Sequence, residues 1–220
     1  MLQGLMQDAP LLVSGILQYA ARAHGEREIV SKLVDESVWR YDWRSCDQRS
    51  RQAAQALGVL GVATGDRVSS LAWNTHRHLE LFYAIPGMGA VLHTANPRLS
   101  DEQIAFTIEH AGSRVLLFEP NLAELVARLR PLLPGIEHYV LLAERAAFVP
   151  DLADALNYEA LLAHEDGALA WPSFDEKAAA FLCYTSGTTG DPKGVLYSHR
   201  SIVLHAMAAG LSSAFGFSAF

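Results

Sequence analysis

Residues 184–195 read YTSGTTGDPKGV, a run dominated by glycine, serine and threonine. An apolar run, Ala178 to Tyr184, leads into this segment, and a shorter one, Val195 to Tyr197, follows it. Short apolar runs bounded by turn-forming residues are typical of β-strands. The sequence therefore predicts a strand, a Gly/Thr/Ser loop and a second strand, followed by a helix from about His199.

Upstream of this segment, short apolar runs alternate with helical patterns. Strands are expected at Glu28 to Val34, Val38 to Tyr41, Arg67 to Trp73, Ala90 to Thr94, Val115 to Phe118 and His138 to Leu142. The first two are separated by a polar turn composition, Asp35-Glu36-Ser37, and are expected to form a hairpin. Repeated βα units of this length predict an α/β fold with a mostly parallel sheet covered by helices.

Capping residues mark the expected helix boundaries. Asp42 and Thr75 are suited to cap the helices that follow them, because their side-chain oxygens can accept from free backbone N–H groups. Ser100 and Gln103 match a capping box. Gly112 stands where a helix commonly ends with a left-handed glycine.

The composition argues against several classes of function. The formal net charge is −7 and the basic residues are scattered, whereas nucleic-acid binders concentrate positive charge on one face. Only Cys46 and Cys183 are present, which favours a reducing compartment over a disulfide-stapled secreted domain. The apolar residues between Leu11 and Leu17 have no cationic stretch before them, so no signal peptide is expected. These features predict a cytoplasmic globular protein with no nucleic-acid partner.

The end of the chain is free of charged side chains. Ser201 to Phe220 contains no Asp, Glu, Lys or Arg and is about as long as a bilayer-spanning helix. His205, Gly210 and the serines lower its hydropathy, so a transmembrane segment is not expected. We interpret this stretch as a helix that belongs to the core of a larger domain.

The chemistry of segment 184–195 suits a polyphosphate. Gly187, Gly190 and Gly194 permit a positive φ and a close approach of the backbone, so successive N–H groups can converge on an anion. Lys193 adds a cation. Hydroxyl donors are available on Thr185, Ser186, Thr188 and Thr189.

The segment has two alternative interpretations. Glycine, serine, threonine, aspartate and proline also make ordinary turns, so composition alone leaves a simple polar connection open. A P-loop NTPase needs Gly-Lys followed by Ser or Thr at the start of a helix. Here Lys193 precedes Gly194 and a strand follows, so that pattern is absent.

His76 and His78, with His93 nearby in sequence, are candidate ligands of a metal ion. Residues at i and i+2 point to different faces of a helix, and no carboxylate or cysteine cluster accompanies them. A metal site formed by these side chains is therefore not expected.

Tyr184 to Val195 resembles the phosphate-loop signature of the adenylate-forming superfamily of AMP-binding enzymes. This superfamily includes acyl-CoA synthetases, firefly luciferases and the adenylation domains of peptide synthetases. Leu71 to Glu80 and Pro86 to Leu99 resemble the branch of medium- and long-chain fatty acid–CoA ligases. The resemblance spans nearly all 220 residues. It implies the N-terminal portion of an adenylate-forming, acetyl-CoA synthetase-like domain, with a layered, mostly parallel sheet flanked by helices.

The resemblance also implies a two-step reaction that uses ATP, Mg²⁺ and coenzyme A. A fatty carboxylate attacks the α-phosphate of ATP and releases pyrophosphate, and the thiol of coenzyme A then displaces AMP from the acyl-adenylate. In this comparison Lys193 is the catalytic residue, and Thr185 also helps to hold magnesium. The phosphate contacts implied are Thr185, Ser186, Gly187, Thr188, Thr189, Gly190 and Lys193.

Several elements of the superfamily have no counterpart in this sequence. These are the adenine-binding segment, the ribose-binding aspartate, the hinge and the small C-terminal domain that carries the adenylation lysine. We therefore expect residues 1–220 to be a truncated N-terminal part of the AMP-binding domain, with a subdomain crossing near 143–177 and the phosphate loop at 184–195, inactive by itself. The alternative is a non-catalytic interaction or dimerisation module derived from such a ligase. A homodimer is plausible by the same resemblance, because ligases of this branch can pair through their N-terminal regions.

Overall fold

The computed structural model describes residues 2–4, 6, 8–185, 191–211 and 213–215 of the chain. The helices are α1 (Val13–Ala23), α2 (Trp43–Val59), α3 (His76–Gly87), α4 (Asp101–Ala111), α5 (Ala123–Leu129), α6 (Tyr158–Leu162) and α7 (His199–Ala209). The strands are β1 (Glu28–Lys32), β2 (Val38–Asp42), β3 (Arg67–Leu71), β4 (Val91–Thr94), β5 (Val115–Phe118), β6 (His138–Leu141), β7 (Leu156–Asn157), β8 (Ala179–Thr185) and β9 (Lys193–Ser198). Short 3-10 helices occupy Pro120–Leu122, Arg130–Leu132 and Pro150–Leu152.

The main sheet has seven strands in the order β7-β6-β5-β3-β4-β8-β9. Every neighbouring pair is parallel except β8 and β9, which are antiparallel. The prediction of a mostly parallel sheet is therefore confirmed. Strands β1 and β2 form the predicted separate hairpin, and Glu36 in its turn has a φ of 70°.

Helices cover both faces of this sheet. One face carries α1, α2, α3 and α6, which pack against alternate strand residues such as Val68, Leu92 and Leu117. The other face carries α4 and α5, which pack against Leu116 and Phe118. Because parallel strands are buried on both sides, their sequences are continuous apolar runs rather than alternating apolar and polar residues.

The capping signals are mostly confirmed. The carboxylate of Asp42 accepts from the Ser45 backbone N–H at the start of α2. Ser100 and Gln103 form the capping box of α4, and Gly112 ends that helix with a φ of 66°. Thr75 precedes α3 as expected, but its side chain does not cap the helix. Its hydroxyl instead donates to Glu119 Oε1 at 2.8 Å, a residue far away in sequence.

Residues 143–177 follow β6, include β7 at the sheet edge and α6, and lead back to β8 beside β4. After α6 this connection runs along α2, where Gln52 Nε2 donates to the Glu165 carbonyl at 2.8 Å. Further along, Trp171 Nε1 donates to Asp47 Oδ1 at 3.3 Å. The connection is thus held to one helix over much of its length.

Residues 201–209 of the charge-free stretch belong to α7, and most of this helix is exposed. His199 and Val203 are its buried residues, whereas Leu204 and Met207 are open to solvent. Among the described residues, no helix combines the length and apolar character needed to cross a bilayer. Residues 212 and 216–220 lie outside the described part of the chain.

Candidate functional site

The described ends of segment 184–195 belong to strands β8 and β9. Strand β8 runs parallel to β4, with Leu92 opposite Phe181 and His93 opposite Leu182. Thr185, the last residue of β8, therefore lies at the edge of the sheet where its parallel strands end. In open α/β sheets, ligands bind outside the carboxyl ends of the strands.

Thr185 and Lys193 form the last pair of the β8–β9 hairpin. They are directly opposite each other, and both are exposed. Residues directly opposite on neighbouring strands project to the same face, so these two side chains leave the hairpin on one face. The sequence predicted that β9 begins at Val195, with Lys193 in the loop. That boundary is wrong, because strand pairing extends two residues further and makes Lys193 the first residue of β9.

Five of the expected phosphate-binding residues lie outside the described residues. They are Ser186, Gly187, Thr188, Thr189 and Gly190. Their contacts with phosphate stay a prediction. The described part of the chain brings together the two residues that flank them, Thr185 and Lys193.

Lys193 is an available cation. The chain has three lysines, and Lys32 is already paired with Glu36. Within the described part of the chain, Lys193 has no ion-pair partner. An exposed ammonium group with no carboxylate of its own is suited to bind an external anion.

Gly194 is required for close packing rather than for an unusual backbone conformation. The sequence predicted a possible positive φ, but Gly194 is not among the glycines with positive φ. A Cβ at this position would lie 3.1 Å from Leu182 Cδ1 and 3.4 Å from the Tyr184 ring. The glycine therefore lets β9 approach the side chains of β8 closely.

Tyr184 connects the hairpin to two neighbouring elements. Its hydroxyl lies 2.7 Å from His110 Nδ1 at the end of α4, and its ring meets the His93 ring edge to face at 5.0 Å. His93 Nδ1 is 2.7 Å from the Ser69 hydroxyl, and burial lowers the pKa of His93 to about 4. Sequence analysis missed these partners, since His110 is 74 residues from Tyr184 and nothing local indicates the contact.

The sequence pattern of the AMP-binding enzyme family matches residues 17–219. The chain belongs to this family. Relatives similar to this chain include a 3-methylmercaptopropionyl-CoA ligase from Ruegeria lacuscaerulensis, which is 46% identical over 98% of the chain. A medium-chain-fatty-acid–CoA ligase from Ectopseudomonas oleovorans is 42% identical, also over 98% of the chain. The chain spans 40% of the length of each of these two relatives.

A solved structure has a similar fold. An anthranilate CoA ligase in complex with anthranoyl-AMP superimposes with a TM-score of 0.80 and 24% identity, covering 92% of this chain and 38% of the other. Similarity at this level of identity concerns the fold. It agrees with the α/β architecture expected from the sequence.

Three other histidines, His76, His78 and His199, occupy separate places in the fold. His76 stacks on Trp39 with ring centroids 4.6 Å apart, and His78 Nε2 is 3.1 Å from the Ser70 hydroxyl. His199 is buried, and its Nδ1 accepts from the Val13 backbone N–H, which ties α1 to the start of α7. In the described residues, no group of three or more His, Cys, Asp or Glu side chains is placed to hold a metal ion.

Proposed function

We propose that this chain holds the pyrophosphate portion of ATP in a ligase that joins a fatty carboxylate to coenzyme A. The carboxylate oxygen attacks the α-phosphorus, and the bond to the bridging oxygen breaks, so pyrophosphate leaves with the electron pair. The thiol sulfur of coenzyme A then attacks the acyl carbon, AMP leaves and the thiol proton is released. Membership of the AMP-binding enzyme family supports this assignment.

The observation that carries the proposal is the Thr185–Lys193 pair at the carboxyl edge of the sheet. Antiparallel pairing fixes a hydroxyl and an ammonium group on one face before any ligand arrives. Preorganised donors of this kind cost no reorganisation during the reaction. The proposed contacts with the β- and γ-phosphates are Thr185, Ser186, Gly187, Thr188, Thr189, Gly190 and Lys193.

Lys193 has the catalytic role in this proposal. Negative charge builds up on the leaving pyrophosphate as the bond to the α-phosphorus breaks. An ammonium group aimed at that charge stabilises the transition state more than the ground state, and only this difference accelerates the step.

Thr185 is suited to be one oxygen ligand of a magnesium ion. Mg²⁺ is usually held by one or two protein oxygens together with water and substrate phosphates. The exposed Thr185 hydroxyl meets this requirement beside a bound triphosphate. The ion would neutralise charge on the phosphates, whereas Thr185 would fix its position relative to β8.

The carboxylate substrate is proposed to be aliphatic. The two relatives described above are named for 3-methylmercaptopropionate and for medium-chain fatty acids, both of which are unbranched carboxylates. We further propose that residues 1–220 are the N-terminal part of an AMP-binding domain, with a subdomain crossing at 143–177. The protein is proposed to be cytoplasmic and to form a homodimer.

Isothermal titration of the 220-residue chain with pyrophosphate and with ATP, each with MgCl₂, tests the phosphate site. Lys193→Ala should weaken binding by about tenfold to a hundredfold, the value of a hydrogen bond to a charged group. Lys177→Ala is the matched control, because Lys177 is also an exposed lysine but lies outside the hairpin. Equal affinities for the Lys193→Ala and Lys177→Ala variants would contradict the proposal.

A second candidate function is an interaction module. Exposed apolar side chains in β9, in α7 and just after α7 favour it. Leu196, Met207 and Leu211 are each about 60% exposed (62%, 61% and 58%). Large apolar side chains that are this exposed are commonly covered by another protein surface when they form one patch. Size-exclusion chromatography with light scattering distinguishes the cases, because a dedicated module should give one defined stoichiometry. Polydisperse association would argue against it.

A further inference from the structure

We infer that His110 is a positioning residue for the β8–β9 hairpin, which carries Thr185 and Lys193, and that it acts through the hydroxyl of Tyr184. This inference rests on the proposed function, since it assigns a residue that holds the proposed phosphate site in place. His110 belongs to α4 and lies outside segment 184–195, so no loop motif includes it.

The His110 side chain is set by a well-defined helix. Helix α4 has a capping box at one end and left-handed Gly112 at the other, and His110 is in its last turn. The Phe106 ring stacks on the imidazole with centroids 5.5 Å apart. His110 Nδ1 then meets the Tyr184 hydroxyl at 2.7 Å, a short and therefore well-formed contact.

The Tyr184 ring touches both strands of the hairpin. Tyr184 belongs to β8, and two of its ring carbons lie 3.4 Å from the position of a Cβ on Gly194 in β9. Thr185 directly follows Tyr184, and Lys193 directly precedes Gly194. A shift of this ring therefore moves the backbone on both sides of the Thr185–Lys193 pair.

The Tyr184 side chain is on the opposite face from the side chains of Thr185 and Lys193. Successive strand residues project to opposite faces, and Tyr184 packs against the cluster of Val91, Ala111 and Leu182 on the α4 side. Thr185 is four residues after Phe181 in β8, so the two side chains project to the same face. The Phe181 ring packs on Phe82 of α3 at 5.1 Å, on the side of the sheet away from α4. Tyr184 and His110 thus support the hairpin on the face opposite the side chains of Thr185 and Lys193, and they do not contact the phosphate themselves.

A double-mutant cycle on the 220-residue chain tests this role, with inorganic pyrophosphate and MgCl₂ as the probe. Tyr184→Phe keeps the ring and removes the hydroxyl, and His110→Ala removes its partner. Each should raise the dissociation constant by about fivefold, the value of one ordinary hydrogen bond. The double variant should bind as each single variant does, because the same contact is lost.

Rescue and control variants separate positioning from a general loss of structure. His110→Asn places a polar atom close to the Nδ1 position and should restore binding to within about twofold of the unmodified chain. His164→Ala removes an exposed histidine after α6 and should leave binding unchanged. Independent, multiplying effects of Tyr184→Phe and His110→Ala, or no effect of either, would overturn the inference.

Amide hydrogen exchange provides a readout that needs no ligand. In Tyr184→Phe and His110→Ala, the amides of Thr185, Lys193 and Gly194 should exchange faster while the midpoint of unfolding stays near that of the unmodified chain. If the unmodified chain fails to bind pyrophosphate, the proposed phosphate site fails, and exchange alone decides the inference. Unchanged exchange at these amides would show that His110 does not position the hairpin.

Discussion

Glu80 is the centre of a buried ionic cluster, and its removal should destabilise the fold strongly. Its carboxylate is fully buried and accepts from Arg49 Nε at 2.7 Å and from the Tyr158 hydroxyl at 2.8 Å. Arg49 also pairs with Glu159 at 2.9 Å, and Glu159 in turn pairs with Arg77 at 2.8 Å. The cluster therefore joins α2, α3 and α6 on one face of the sheet.

The expected cost of Glu80→Ala follows from these contacts. Removing one partner of a buried pair typically costs about 3 to 5 kcal/mol, because the remaining charge is left uncompensated. Arg49 keeps its contact with Glu159, so we expect a loss of about 3 kcal/mol in the free energy of unfolding. Tyr158→Phe removes a single hydrogen bond to a charged acceptor and should cost about 1.5 kcal/mol.

Urea denaturation followed by circular dichroism measures these losses. Glu28→Ala is the control, since Glu28 forms an exposed pair with Arg40 and pairs of that kind contribute little. Replacing both buried partners, as Arg49→Met with Glu80→Leu, should recover part of the stability because no unpaired charge remains at either position. If Glu80→Ala costs no more than Glu28→Ala, the structural role assigned to the cluster is refuted.

Three further outcomes are expected. Burial lowers the pKa of His78, His93 and His199 from 6.5 to about 4, so the unfolded chain binds more protons between these values. The free energy of unfolding should therefore fall as the pH drops from 6.5 towards 4, and identical urea midpoints at pH 7 and pH 5 would contradict this. Gly112→Ala should cost about 1 kcal/mol or more in the same assay, because φ is 66° and the new Cβ would lie 2.7 Å from Arg67; unchanged stability would rule out the strain. Incubation of the chain with ATP, Mg²⁺ and octanoate should give no carboxylate-dependent pyrophosphate release, since these 220 residues span only 40% of the length of the two relatives described above, and release abolished by Lys193→Ala would disprove that expectation.

Features that depend on residues close in sequence could be predicted. The capping box of Ser100 and Gln103 and the left-handed Gly112 each involve contacts within a few residues. The parallel sheet was predictable for a similar reason, because buried parallel strands produce continuous apolar runs such as Val115–Phe118.

Features that depend on distant contacts could not be predicted. Thr75 has a good capping side chain, but Glu119, which is 44 residues away, accepts its hydroxyl instead. The pairing of Arg49 with Glu159 joins residues 110 positions apart, and no periodicity indicates it. The start of β9 at Lys193 was missed because local composition favours a loop, whereas pairing with Thr185 extends the strand.

The chemistry of the candidate site was partly accessible from sequence. The glycines, hydroxyls and lysine of segment 184–195 indicated a polyphosphate, and the family match supports the resemblance on which the roles were assigned. The support that Tyr184 receives from His110 was not accessible, because it depends on how α4 lies against β8.

Chemical labelling of lysines tests the central claim most directly. Pyridoxal phosphate combines an aldehyde with a phosphate group, so after borohydride reduction it marks lysines beside phosphate sites, and the chain offers Lys32, Lys177 and Lys193 for comparison. Peptide mapping by mass spectrometry should find Lys193 labelled most strongly, with that labelling suppressed by pyrophosphate or ATP while labelling of Lys32 and Lys177 is unaffected. Equal labelling of the three lysines, or labelling of Lys193 that neither ligand reduces, would contradict a phosphate site at the β8–β9 hairpin.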